Sequence, residues 1–209
     1  MLIQEIPLAM AIKKTILLAA MLFFLSAKTS GNDGLDRFNQ NRVDINRNGM
    51  WTLGSWAVSN FVISGIGWQQ GSGQNMYFHQ GNVLWNTVNL TLAGFGLYGA
   101  YSDEIRGLSL SESIQAHYSM EKLLLFNAGL DVGYMAAGFY LRERSKNSAQ
   151  NQDRYRGYGN TLILQGAFLF IFDLVLYAFH NRNARQLHNI LPAIQSTGEN
   201  ITLGFRIKL

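Results

Sequence analysis

The sequence predicts an all-α fold, a four-helix transmembrane bundle after an N-terminal signal sequence, and three observations predict it. Four apolar segments of 19 residues, 50–68, 83–101, 123–141 and 161–179, carry only two charged residues between them, Asp131 and Asp173. Each would span about 28 Å as a helix, close to the thickness of a hydrocarbon core. The two prolines, Pro7 and Pro192, lie outside all four segments, so continuous helices are allowed across the middle of the chain. A mean hydropathy near zero, +0.02, hides a segregated pattern, with polar residues gathered in tails and links. The predicted organisation is a signal peptide or anchor over 1–30, a polar segment over 31–49, a membrane domain over 50–181 and a tail over 182–209.

From Met10 the chain reads as an export signal. Lys13 and Lys14 form a positive start, Ile16 to Leu25 an apolar stretch, and Ser26-Ala27 a small-residue cleavage point. Leu25, three residues before a cut after Ala27, is a poor match for a signal peptidase, so an uncleaved anchor helix stays as the alternative. In the polar segment, DINRNG (44–49) matches the first half of a calcium loop. Its twelfth position is Ser55 where a bidentate Glu is expected, and a polar turn leading into the first helix is the simpler reading.

The first apolar segment is bracketed by Trp51 and Trp68, and Tyr98 and Tyr101 close the second, as suits a membrane interface. Ahead of and within the second segment, Asn82, Asn86 and Asn89 are spaced by four and three, which puts them on one helical face. Asn127, Asp131 and Tyr134 repeat that spacing in the third segment, and Asp173, Tyr177 and His180 in the fourth. An unpaired amide is costly in hydrocarbon but can hydrogen-bond between helices. The sequence therefore predicts an inner polar seam of Asn86, Asn89, Asn127, Asp131, Tyr134, Asp173 and Tyr177. Its acids serve either as polar glue or as a ligand pocket or proton path, the usual meaning of an ionisable group at membrane depth. Gly129 and Gly133 form GxxxG, a spacing that lets helices approach closely.

The link 142–157 holds Arg142, Arg144, Lys146, Arg154 and Arg156, which the positive-inside rule assigns to the cytoplasm. The tail ITLGFRIKL (201–209) alternates like a single amphipathic strand. Two other architectures compete. A soluble bundle would need charged outer faces that these segments lack. An outer-membrane barrel would need alternation that AFLFIFDLVLYAF (167–179) does not show.

Several chemistries have little support. With no cysteine, thiolate ligands, disulfides and cysteine nucleophiles are excluded. A net charge of +4 in short clusters gives no footprint for nucleic acid. GFGLYG (94–99) matches GxGxxG but sits inside an uncharged apolar stretch, so its glycines read as packing. His79, His117, His180 and His188 are scattered without a zinc motif, although His117 and Glu121 share a helical face. No cofactor and no metal is expected.

The run YFHQGNVLWNTVNL (77–90), after the Trp-rich first segment, resembles uncharacterised small multi-helix membrane protein families of Bacteroidota-type bacteria. The resemblance extends over residues 50–180 and implies a membrane bundle with no catalytic residue. The expected function is a non-enzymatic membrane component, either a structural or assembly subunit or a small transport or binding module. Its expected partners are the bilayer and other subunits, packed through small-residue helix faces. The alternative is a membrane enzyme using the intramembrane carboxylates with His117 or His180.

Overall fold

The computed structural model describes residues 34–103, 105 and 108–187. Over these the chain forms four helices, α1 (Gly34–Gln70), α2 (Gly73–Ser102), α3 (Leu110–Ser145) and α4 (Gln152–Ala184), and no strand is present among the described residues. The expected signal or anchor over 1–30 and the strand-like stretch 201–209 lie outside the described residues. Residues 182–184, at the near end of the expected tail, continue α4.

Each helix begins well before its apolar segment. The polar segment 31–49 is helical from Gly34. Its polar residues find helical partners: Gln40 donates to Asp44 at 3.0 Å, and Arg47 pairs with Asp44 at 2.7 Å. DINRNG is therefore helical backbone, neither the turn expected at the start of the first helix nor a calcium loop. Apolar residues mark where a helix is desolvated, while the helix runs on wherever the next turn still has partners.

The connections are short. Only Gly71 and Ser72 separate α1 from α2, with the Gly71 N–H donating to the Gly67 carbonyl at 2.8 Å. Gly73 follows at φ +53°, a left-handed conformation that glycine adopts without strain. Ser109 caps α3 through a reciprocal pair: its hydroxyl accepts from the Glu112 N–H at 3.3 Å, and the Glu112 carboxylate accepts from the Ser109 N–H at 2.8 Å.

Two helical hairpins, α1–α2 and α3–α4, join through α4, which packs on both α1 and α2. Contacts of Phe78 with Thr161 and of Asn82 with Gln165 show that α2 and α4 run parallel. Between α3 and α4 the backbones nearly touch: a Cβ on Gly138 would lie 2.7 Å from the Gly159 carbonyl oxygen. The expected GxxxG contact is corrected here. Gly129 and Gly133 have nothing within 4 Å of a would-be Cβ, because they lie on the outer face of α3.

The apolar core is small, built from Leu53, Trp56, Ala93, Leu124, Phe168, Phe172 and Leu176. The Trp56 and Phe168 rings stack at 3.8 Å. Much of the remaining interior is polar, whereas Val58, Ile63, Leu84, Phe126, Val132, Phe139 and Ile171 face outward. Among the described helices, α4 is long and apolar enough to cross a membrane by length and composition. The windows of the other three are diluted by Asn, Gly, Ser and Thr, so the four-span expectation does not follow from hydropathy.

Candidate functional site

The asparagines of α2 tie three helices together. Asn82 accepts from Gln165 Nε2 at 2.6 Å, and Gln165 Oε1 in turn accepts from the Trp56 indole at 3.2 Å. Asn89 donates to Asn86 Oδ1 at 3.3 Å and reaches Gln165 Oε1 at 3.5 Å. Asn82 and Asn86 also donate to carbonyls one turn back, at 3.0 and 2.8 Å. Buried amides thus satisfy one another. Gln165, which joins α1, α2 and α4, and Asn82 are the amides of this knot that the predicted seam leaves out.

A second polar cluster occupies the end of the bundle where α1 and α3 begin and α4 ends. Asn39 donates to the Ser113 hydroxyl at 2.8 Å, Arg42 pairs with Asp103 at 3.1 Å, and Asn183 donates to the Phe38 carbonyl at 3.1 Å. His117 stands 3.3 Å from Glu121, and its ring centroid is 5.9 Å from that of His180. His180 Nε2 bonds Asn46 Oδ1 at 2.8 Å; an amide oxygen only accepts, so this nitrogen carries the hydrogen. Burial pushes the His117 imidazole below its ordinary value, against the pull of Glu121 in the other direction.

Between these clusters lies a cleft. Because α2 and α3 make no extensive contact, the side of the bundle opens into a cavity of about 830 Å³. Trp85, Val88, Leu92 and Phe95 of α2 face Leu123, Leu130 and Tyr134 of α3 across it, and α4 supplies Phe172 and Asp173 at the floor. Asn89, Asn127 and Asp131 add polar groups to that floor, while Arg42, Asn46 and Asp103 close one end. Trp85 and Tyr134 meet edge to face at 4.7 Å.

The carboxyls of Asp131 and Asp173 meet at this floor, although the side chains are only 3% and 6% exposed. Carboxylates offer only acceptors, so a hydrogen bond between them needs a proton on one of the two. Asp131 Oδ2 is buried without a hydrogen-bond partner.

The structure thus gathers Asn89, Asn127, Asp131, Tyr134 and Asp173 around one cleft and sets two predicted seam residues apart. Asn86 is fully buried in the amide knot, and Tyr177 is half-buried against the apolar core. His117 and His180 do not line the cleft. Asp173 and His180 lie seven residues apart, about 10 Å along a helix. The carboxylates thus line the cleft and the two histidines stand in the neighbouring cluster.

Residues 52–174 match the model described as a family of unknown function (DUF6992). No curated protein and no solved structure matches the chain.

Proposed function

The chain belongs to that family of unknown function, and from this premise we propose that it is an integral membrane protein whose four helices form a binding module for an apolar or amphipathic small molecule. The cleft between α2 and α3 carries the reading. Its volume falls within the range of small-molecule sites, and its walls are apolar around a few convergent polar groups, as such sites usually are.

The outer surface supports the membrane part. Outside the cleft, Val58, Phe61, Val62, Ile63, Ile66, Leu84, Phe126, Val132, Phe139 and Ile171 are all exposed, and apolar exposure of this extent marks a surface that meets lipid or another chain. Exposed aromatics stand at two levels, Trp51, Tyr98 and Tyr101 near one and Trp68 and Tyr140 near the other. The 17 residues from Trp51 to Trp68 correspond to about 26 Å of helix, near the depth of a hydrocarbon core. Buried amides fit the same setting, since no water is available there to satisfy them.

Membranes from cells expressing the chain, washed with alkaline carbonate, test the location, and retention in the pellet is expected. A neutral alkyl diazirine, photolysed with the purified protein in detergent and mapped by mass spectrometry, tests the cleft. Labelling is expected to concentrate on Leu92, Leu123, Leu130 and Tyr134, and to fall when Leu92→Trp and Leu130→Trp fill the opening. Release of the chain by carbonate, or even labelling of the whole outer surface, would overturn the reading.

A further inference from the structure

We propose that the ligand of this cleft is a lipophilic organic cation, a bulky apolar molecule with one positive charge, held by the hydrogen-bonded pair Asp131 and Asp173 as a single counter-ion. This rests on the cleft reading above and adds the class of ligand.

Four observations carry it. The ionisable lining is unbalanced: three carboxyls, Asp103, Asp131 and Asp173, face one guanidinium, Arg42. That guanidinium is already tied to Asp103 at 3.1 Å, which leaves the floor pair, sharing one proton, with one uncompensated negative charge. Asp131 is 3% exposed, and outside the acid pair its Oδ2 has no donor, although a buried acceptor ordinarily finds one. Apart from Arg42 the cleft lining holds no basic group, so a positive group on the ligand would meet the remaining charge of the pair. Finally, Trp85 and Tyr134 stand at the cleft wall, and aromatic faces attract cations at close range.

An inorganic divalent ion fits less well. Among the described residues no three His or acidic groups are placed to hold a metal, and most of the cleft wall would give such an ion no oxygen ligand. An organic cation uses both halves of the site, its apolar body against Val88, Leu92, Phe95, Leu123 and Leu130 and its charge at the floor.

The test is competition against diazirine labelling of the cleft, in detergent, by tetraphenylphosphonium, by the anion tetraphenylborate and by neutral triphenylmethanol. The cation is expected to protect the cleft at the lowest concentration. Replacing both acids, Asp131→Asn with Asp173→Asn, is expected to weaken that protection at least about tenfold, as loss of a buried charge partner does. Protection by triphenylmethanol should stay unchanged. The charge-retaining Asp173→Glu variant should keep the preference for the cation, and it carries the test if the double variant does not fold. Equal protection by all three compounds, or full protection by the cation in the double variant, would overturn the cation assignment and leave the cleft reading intact. Absence of cleft labelling in the wild type would overturn both.

Discussion

Gln165 is the residue on which the interior turns, because its amide serves two α2 asparagines and the Trp56 indole at once. Gln165→Leu strands the indole N–H and the Asn82 oxygen in the core. A loss of about 1–3 kcal/mol is expected, the cost of leaving buried polar groups unpaired, measured by thermal unfolding in detergent. A double-mutant cycle with Asn82→Leu should return a coupling of about 0.6–1.7 kcal/mol, the span found for hydrogen bonds between membrane helices. At the other cluster, burial holds His117 below its ordinary value of 6.5. The folded state thus binds its proton more weakly than the unfolded state does. The neutral imidazole contributes stability that is complete above about pH 6.5 and is lost as the pH falls through the folded value. The groups facing it are Arg42, Glu121 and His180. From pH 7.5 to 5.5 the melting temperature of His117→Gln is expected to fall less, or rise more, than that of the wild type. An unchanged slope would move the proton uptake to another group.

At the scale of elements, the close crossing of α3 and α4 depends on glycine. Gly138→Leu would drive a side chain into the Gly159 carbonyl and Ile163, each only 2.7 Å from the first carbon. A loss of about 1–3 kcal/mol or more is expected from such overpacking. Gly129→Ala, on the open outer face, should be neutral or stabilising by roughly 0.5–1 kcal/mol through helix propensity. Comparing the two melting temperatures checks which glycines pack. GxxxG spacing could not separate them, since small residues at four-residue intervals serve equally to meet a neighbour or to face outward. The start of α3 was legible and overlooked: Ser109 and Glu112 form the S-x-x-E signature of a capping box just before Leu110. Ser109→Ala is expected to cost about 0.5–2 kcal/mol, read as the same shift in unfolding free energy.

For the molecule as a whole, the cleft follows from unequal packing. Close contact within each hairpin and through α4 leaves α2 and α3 apart, and the apolar side chains of both then border an opening. Filling it should change ligand capture without unfolding the bundle. Leu92→Trp and Leu130→Trp are therefore expected to abolish cleft labelling while the circular dichroism melt stays within a few degrees of the wild type. A collapse of the melt would make the opening a structural joint instead.

The sequence by itself determined that the chain is helical, that four apolar segments lie in four helices, and that Asn82, Asn86 and Asn89 share one face. These are local properties, written in a period of 3.6 residues and in the absence of proline. Tertiary structure alone decided the rest. The helix starts of α1 and α2 depended on partners supplied by other turns and other helices, and Gln165 became the centre of the polar knot because α2 and α4 run parallel at that register. Asp131 and Asp173 were visible as anomalies in separate segments. That they meet at one cleft floor, while Tyr177 turns to the core and His117 joins another cluster, was settled by which helix pairs close and which one stays open. No single helix encodes that choice, because it is made by side chains distant in sequence competing for the same contacts.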